Sequence, residues 1–205
     1  RQMCIRDSYT VRWVLKGLGT EDYGIYNAVA GVVTTGTCIS SVLAMATQRF
    51  YSYAIGLGEK EKLTRIFSAS VNLVIVFSII TILVLELVGN WFVSTQMTIP
   101  ADRLSAASWV FQFSIFSFIF TLLQIPYIGA IFSNEDMGVY ALVSSVDCFI
   151  KLMIAALICM FGFDHLILYS GAMMIESGLV MVVYMLIASR KYIECRYTTK
   201  GIDKE

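Results

Sequence analysis

Apolar residues are grouped in five long stretches of this chain, with short polar stretches between them. A membrane-spanning helix needs about 20 mostly apolar residues, because it rises about 1.5 Å per residue across a hydrocarbon core of about 30 Å. Five such stretches in succession leave no polar face for water, which argues against a soluble helical protein. The pattern predicts five spans, over about Tyr26 to Ile55, Ile66 to Phe92, Leu104 to Phe132, Met137 to Phe161 and Leu166 to Ser189.

Helix-breaking residues fall between these stretches. Gly56 and Gly58 follow the first, Pro100 lies between the second and third, and Gly162 follows the fourth. Pro126 lies inside the third stretch, where it frees a backbone carbonyl and permits a bend. We therefore expect an all-α, polytopic transmembrane helix bundle.

The two ends of the chain differ in character from the rest. Residues 1–8 are polar and unlike the apolar stretches, and residues 9–18 resemble the end of a preceding helix. We expect residues 1–8 to be unassigned or non-native, and residues 9–205 to form part of a transmembrane bundle.

The composition agrees with a membrane protein and excludes several other classes. The chain is 58% hydrophobic and 15% charged, whereas soluble domains are about 45–50% apolar and about 25% charged. Its net charge is zero, which gives no reason to expect a nucleic-acid partner. The five cysteines form no CxxC pair, so neither a disulfide framework nor a metal site is expected. Sequence motifs of hydrolases, metalloproteases and nucleotide-binding proteins are absent, so neither an enzyme nor a cofactor is expected.

The distribution of Lys and Arg among the loops predicts the orientation, because cytoplasmic loops carry the excess of these residues. Beyond residues 1–8, nine of them lie near the first interhelical loop or after the last span, and three lie on the opposite side. We therefore expect the loop from Gly56 to Arg65 and the C-terminal tail to face the cytoplasm.

The first predicted span carries an unusual number of polar residues for a helix in lipid. The polar and small residues are Thr34, Thr35, Gly36, Thr37, Ser40, Ser41, Thr47 and Gln48. Two interpretations remain open: close helix packing through small residues, or a helix that lines a water-filled cavity.

Three ionisable residues fall near the middle of the last two predicted spans. Asp147 and Glu176 each lie ten residues after the start of a span, which places them about 15 Å deep in the membrane. Lys151 follows Asp147 by four residues, so the two share a helix face and can pair. Charges at this depth cost at least about 2.5–3.5 kcal/mol each on insertion scales. We therefore expect all three to face a central cavity rather than lipid.

Two interpretations of these charges also remain open. Asp147 and Lys151 can be a structural pair that neutralises itself. Alternatively, Lys151 faces the phosphate of an anionic headgroup and an acid takes up a coupling ion. Glu176 is the better candidate for ion coupling, because the residues three and four positions away on its own helix are uncharged.

Five short motifs occur in order between about Leu15 and Tyr197. They are Leu18-Gly19-Thr20-Glu21-Asp22-Tyr23-Gly24-Ile25-Tyr26, Ala46-Thr47-Gln48-Arg49-Phe50, Gln124-Ile125-Pro126-Tyr127, Asn134-Glu135-Asp136-Met137 and Tyr140-Ala141. In this order and spacing the chain resembles the bacterial polysaccharide flippases of the multidrug/oligosaccharidyl-lipid/polysaccharide exporter superfamily, and among them the lipopolysaccharide or O-antigen translocases.

The resemblance implies an architecture and a cargo. The chain would be the second to sixth helices of an N-terminal bundle that faces a C-terminal bundle absent from this chain. The cargo would be an oligosaccharide on a polyprenyl pyrophosphate carrier, moved from the inner to the outer leaflet of the bacterial cytoplasmic membrane. Its partners would be this lipid-linked oligosaccharide, membrane lipids and the C-terminal bundle. A cation-coupled drug antiporter of the same superfamily and a polytopic glycosyltransferase or polymerase remain alternatives.

The candidate substrate-binding or ion-coupling residues combine the motif residues with the charges inside the membrane. Arg49 is expected to bind pyrophosphate, because a planar guanidinium contacts phosphate oxygens in pairs; simple anchoring at the cytoplasmic interface is the alternative. The full set is Gln48, Arg49, Gln124, Asp147, Lys151 and Glu176.

Overall fold

The structure, a computed structural model, describes residues 22–31, 33, 36–57, 60–89, 104–158 and 165–192. This part of the chain is helical, with no strand. Residues 22–31 form α1. The later helices are α2 (Thr37–Leu57), α3 (Lys60–Val84, continued by a π-helical turn over Leu85–Gly89), α4 (Leu104–Leu123), α5 (Ile125–Ser133), α6 (Met137–Ile158) and α7 (His165–Lys191).

Four described segments are long and apolar enough to cross a membrane, so the protein is a multi-pass membrane protein. They are Leu63–Leu87, Ser105–Ser133, Met137–Leu157 and His165–Lys191. These match the second to fifth predicted spans, and the tails of two of those predictions, residues 90–92 and 159–161, lie outside the described residues.

The first predicted span, from Tyr26 to Ile55, is not among these four segments. A turn at Gly36 separates α1 from α2, and α2 carries Thr47, Gln48 and Arg49 in succession. Residues 32, 34 and 35 lie outside the described residues, so the structure describes this span only in part. The structure therefore supports four spans, and the first predicted span stays a prediction. The first eight residues and the tail after Tyr192 lie outside the described part, as does the expected helix end over residues 9–18.

The α4 helix lies at the centre of the bundle. Half of the span formed by α4 and α5 is buried within the protein, against 11 to 17% of the other three spans. One core cluster surrounds α4 and includes Val29 of α1, Val74 of α3, Ile115 of α4 and Leu166 of α7. This arrangement explains why α4, with no charged residue along its length, can be apolar on all sides.

A break at Gln124 divides the third span into α4 and α5. Pro126 has no backbone N–H to donate to the carbonyl of Leu122, so the regular ladder of hydrogen bonds cannot continue through it. The helix is thus interrupted two residues before Pro126, and α5 packs against α2. At their crossing Gly129 faces Thr47 and Tyr51, where a Cβ atom would lie 3.3 Å from Thr47 Cγ2.

One end of the bundle gathers the end of α2, the turn between α5 and α6, and the end of α7. Ser52 Oγ lies 3.4 Å from Ser133 Oγ, and Lys191 Nζ lies 2.9 Å from Asp136 Oδ2. A second core cluster, which includes Tyr51, Phe67, Ile131 and Ala188, lies at this end. The end of α2 and the end of α7 therefore lie at the same end of the bundle, in keeping with the loop charges.

Candidate functional site

The first part of the site is an ion pair between two residues of α6. Lys151 Nζ lies 2.9 Å from Asp147 Oδ1 and 3.0 Å from its Oδ2, so the ammonium donates to both carboxylate oxygens. The spacing of four residues on a helix makes this contact local, and the sequence predicted it. The Asp147 side chain is 18% exposed and that of Lys151 is 36% exposed. Both side chains are thus partly buried.

Glu176 of α7 completes a three-residue cluster. Its Oε2 atom lies 3.8 Å from Lys151 Nζ, and its side chain is only 2% exposed. The sequence offered Glu176 no partner on its own helix, and the partner comes from α6 instead. Lys151 therefore faces two carboxylates, and the interpretation of Asp147 and Lys151 as a self-contained pair is incomplete.

The cluster is unbalanced in charge and in hydrogen bonding. One ammonium faces two carboxylates, so the formal charge is −1 when all three groups are ionised. Neither carboxyl oxygen of Glu176 has a hydrogen-bond partner among the described residues, although both are buried. Burial of an uncompensated carboxylate costs several kcal/mol. Glu176 is therefore the least compensated group of the cluster.

Aromatic residues continue the same helix interface toward the end that carries Asp136. Tyr140 and Tyr184 stack with ring centroids 6.4 Å apart, and Phe132 lies 4.7 Å from Tyr140. Tyr140 precedes Asp147 by seven residues and Tyr184 follows Glu176 by eight, so each shares a helix face with its acid. The sequence analysis did not include Tyr184 among the site residues, although its spacing of eight residues from Glu176 places both on one face of α7.

The three charged residues lie together at the interface of α6 and α7, where Glu176 is buried and Lys151 is partly exposed. They do not line the cavity that the structure describes, however. That cavity, of about 190 Å³, lies between α1, α2, α4 and α7. Its lining includes Ser114, Ser117, Thr121 and Ser170 together with apolar residues such as Phe118 and Met173. The sequence analysis did not identify it, since no charged or aromatic motif marks these serines.

Arg49 and Gln48 lie apart from the charged cluster, on α2. Thr47 is buried against α5, Gln48 is half-buried, and Arg49 is exposed. The backbone carbonyl of Gln48 accepts a hydrogen bond from Ser133 Oγ at 3.3 Å, which fixes this part of α2 on α5. The predicted site residues thus form two groups, one on α2 and one between α6 and α7.

The exposed face of α2 differs from those of the other helices. The exposed faces of α3, α6 and α7 carry large apolar side chains such as Leu83, Phe149 and Leu179, which suit lipid. On α2, Ser41, Ala46, Arg49 and Ser52 are exposed beside the large apolar residues Val42, Met45, Phe50, Tyr53 and Leu57. This face thus surrounds one arginine with apolar and small polar side chains.

Gln124 occupies the break between α4 and α5. Its backbone carbonyl accepts from the N–H of Ile128 at 3.0 Å, while its side-chain Oε1 is buried with no hydrogen-bond partner among the described residues. Such an oxygen is expensive to leave unpaired. Gln124 thus lies at the junction of α4 and α5, and it makes none of the contacts that define the charged cluster.

Comparison of the chain with models of known protein families, with curated proteins and with solved structures gives no match.

Proposed function

We propose that this protein is a membrane transporter that moves a polyprenyl-pyrophosphate-linked oligosaccharide from the inner to the outer leaflet of the bacterial cytoplasmic membrane. The proposal begins from the resemblance of its motifs to the polysaccharide flippases. Such a protein serves the synthesis of lipopolysaccharide or other surface polysaccharides. It carries out no covalent chemistry.

The observation that carries the proposal is the buried cluster of Asp147, Lys151 and Glu176. Charged groups inside membrane helices are costly and commonly mark the paths of substrates and ions. Glu176 is almost fully buried, has no hydrogen bond to either carboxyl oxygen from the described residues, and shares one ammonium with Asp147. A carboxylate in this state gains stability from a proton or a cation. Uptake and release of that ion would couple substrate movement to an ion gradient.

The exposed face of α2 supplies the binding surface in this proposal. Arg49 is exposed among apolar and small polar side chains, near the end of the bundle that the loop charges assign to the cytoplasm. A guanidinium there would bind the pyrophosphate as the cargo enters from the inner leaflet. Phe50 and Tyr53 would lie against its lipid or sugar.

The test is surface display of glycan in a bacterial strain that lacks its own polysaccharide flippase and carries the protein in its natural full length. A charge-assisted hydrogen bond is worth about 1.5–3 kcal/mol, so Arg49→Gln is expected to reduce display about tenfold or more. Arg49→Lys is expected to fall well below the wild type, because Lys cannot bind phosphate in the paired geometry.

Arg65 of α3 provides the matched control, because it is an exposed arginine near the same end of the bundle. Arg65→Gln and Arg65→Lys should leave display unchanged at equal expression. Full display by both Arg49 variants would remove the recognition role. No display by the wild-type protein would contradict the flippase proposal.

A drug antiporter of the same superfamily is the second candidate, and the same buried cluster favours it, since exchange of a cation for a drug needs a titratable acid. Export of hydrophobic cations from whole cells distinguishes the two. Such export, abolished by Glu176→Gln, together with no glycan display would favour the antiporter.

A further inference from the structure

The cavity between α1, α2, α4 and α7 lies at the depth of the hydrocarbon core. Phe118 and Thr121 of its lining fall in the middle third of the span Ser105–Ser133. None of the described residues that line it is charged. Its wall therefore suits a neutral, apolar ligand. Apolar and aromatic side chains form most of that wall, among them Tyr26, Val33, Phe113, Phe118 and Met173.

The hydroxyl groups in the wall do not change this preference. Ser114 Oγ donates to the Val110 carbonyl at 2.8 Å, and Thr121 Oγ1 donates to the Ser117 carbonyl at 3.0 Å. Ser170 Oγ likewise donates within its own helix, 3.1 Å from a carbonyl oxygen. A hydroxyl has a single proton to donate. An anionic group such as a phosphate would therefore find no donor among these three hydroxyls.

The volume of the cavity fits a section of one hydrocarbon chain. The cavity measures about 190 Å³, and an apolar cavity of about 150 Å³ is large enough to bind benzene. A whole lipid is much larger than this. At the depth of the hydrocarbon core the apolar groups present are the chains of lipids. The structure therefore favours a section of a lipid chain as the occupant, with the remainder of the chain outside the cavity.

A row of exposed residues on α2 leads from the cavity to Arg49. Thr37 lines the cavity and is also exposed, so the cavity opens at this point of α2. Ser41, Met45 and Arg49 follow at intervals of four residues, and each is exposed. Residues at this spacing are neighbours on the surface of a helix. The four residues thus form one continuous strip, about 18 Å long, between the cavity and Arg49.

The length of this strip distinguishes between two kinds of lipid. Arg49 lies near the end of the bundle that the loop charges assign to the cytoplasm. A phospholipid with its phosphate at Arg49 has chains that cross about half of the core, or about 15 Å, and they would end before the cavity. A polyprenyl chain is longer than one leaflet is thick, so it can pass Thr37 and enter.

We propose that the cavity binds a section of the polyprenyl chain of the cargo while Arg49 holds its pyrophosphate. The inference rests on the proposed function, which supplies the polyprenyl carrier. The chain lies along the strip from Arg49 to Thr37, and the section beyond Thr37 is held among Phe113, Phe118 and Met173. Phospholipids share the phosphate of the carrier, and the length of the chain is what separates the carrier from them.

The test is photo-crosslinking of the full-length protein in lipid vesicles, with a polyprenyl phosphate that carries a diazirine in its chain about 18 Å or more from the phosphate. Mass spectrometry locates the crosslinked residues, which are expected in the cavity wall, at positions such as Phe113 and Met173. A second probe with the diazirine beside the phosphate should label α2 near Arg49. Crosslinks of the first probe confined to lipid-facing residues such as Leu83 of α3 and Phe149 of α6 would overturn the proposal.

Two variants fill the cavity from different helices. Ala30→Leu of α1 and Ser114→Leu of α4 each place a larger side chain in the wall. Each is expected to reduce the cavity crosslinks about tenfold or more, because burial of a side-chain-sized section of hydrocarbon is lost. Ala28→Leu and Ser108→Leu are the matched controls, since these residues are exposed on the same two helices, and they should leave the crosslinks unchanged.

The unfolding temperature of each variant shows whether it is folded. Unchanged cavity crosslinks in both filled variants, at the unfolding temperature of the wild type, would overturn the proposal. The crosslink positions in the wild type decide it in the same way if a filled variant proves unstable.

Two further probes identify the occupant. A phosphatidylglycerol with a diazirine at the end of an acyl chain should label the outer faces of the bundle and not the cavity. Equal labelling of the cavity by this probe would overturn the assignment to a polyprenyl chain. A polyprenol, which has no phosphate, should label the cavity about tenfold or more weakly than polyprenyl phosphate. Arg49→Gln should reduce labelling by polyprenyl phosphate to the level of polyprenol, and an unchanged level would overturn the link between the cavity and Arg49.

The failure of this proposal and the failure of the proposed function give different results. Cavity crosslinks by polyprenyl phosphate, with no glycan display by the wild-type protein, would support the chain site and contradict the flippase. Glycan display by the wild type, with no crosslink in the cavity, would support the flippase and overturn the chain site. Absence of both would contradict both.

Discussion

Lys151 Nζ lies 3.8 Å from Glu176 Oε2 and thereby joins α6 to α7. The contact is longer than the 2.9 Å that separates the same ammonium from Asp147 Oδ1. Lys151 therefore contacts the acid on its own helix more closely than the acid on the neighbouring helix. Removal of the Lys151 ammonium should leave the two carboxylates without a positive charge between them.

We predict that Lys151→Met destabilises the folded protein by about 1–3 kcal/mol. Breaking a buried ion pair costs about 3–5 kcal/mol, and the cost is smaller here because the Lys151 side chain is 36% exposed. Adding Glu176→Gln should recover part of the loss, because an uncharged amide needs no cation. Thermal unfolding of the purified protein in detergent, run as a double-mutant cycle, measures the coupling.

Arg190→Met serves as the control, since Arg190 is exposed at the end of α7. It should change the unfolding free energy by less than about 0.5 kcal/mol. Strictly additive effects of Lys151→Met and Glu176→Gln would show that the contact between them contributes nothing.

The length of the apolar stretches was sufficient to predict four spans, because a span depends on local sequence. The first predicted span stays a prediction, because the structure describes it only in part. Within the described residues a turn at Gly36 separates α1 from α2, and such a turn leaves no mark in the length of an apolar stretch.

The candidate site was only partly predictable. The pair of Asp147 and Lys151 follows from a spacing of four on one helix, but the contact of Lys151 with Glu176 depends on how α6 packs on α7. The cavity near Ser117 depends on four helices at once. Tertiary relationships of this kind leave no periodic signal in a single sequence.

The orientation of the bundle gives a second prediction. The loop between α2 and α3 should face the cytoplasm, because the end of the bundle that carries it has the excess of Lys and Arg. A single cysteine introduced at Lys60, in a variant with no other cysteine, should resist an impermeant thiol reagent added to intact cells. The same cysteine should react in inverted membrane vesicles. Labelling in intact cells would reverse the orientation.

The crossing of α2 and α5 depends on the absence of a side chain at Gly129. A Cβ atom there would lie 3.3 Å from Thr47 Cγ2 and 3.4 Å from the ring of Tyr51. We predict that Gly129→Leu destabilises the protein by about 1–3 kcal/mol through overpacking. The change should also displace α2 and reduce glycan display together with stability.

Gly138, near the start of α6, is the matched control for this prediction. A Cβ atom at Gly138 would meet nothing within 4 Å, and the residue is exposed. Gly138→Leu should therefore leave the unfolding temperature unchanged or raise it, because glycine is unfavourable in a helix by roughly 0.5–1 kcal/mol. Equal destabilisation by the two variants would contradict a specific role for the α2–α5 crossing.

The last prediction concerns Asp136, in the turn between α5 and α6. Its carboxylate accepts a hydrogen bond from the Tyr192 hydroxyl and lies 2.9 Å from Lys191 Nζ. These contacts hold the pKa of Asp136 below its ordinary value of 3.8, with the hydrogen bond from Tyr192 as the largest cause and that from Lys191 next. The turn and the end of α7 are thereby held together.

The sign of the pH effect follows from this lowered pKa. The stabilisation from Asp136 is fully present above pH 3.8, the ordinary value for an unfolded chain, and is lost as the pH falls below it through the folded-state pKa. Asp136→Asn should lower the unfolding temperature near neutral pH and flatten its decline in acid. Tyr192→Phe should do the same to a smaller degree, because Lys191 remains. If both variants decline in acid as steeply as the wild type, other carboxylates control acid stability and Asp136 does not hold α7 to the turn.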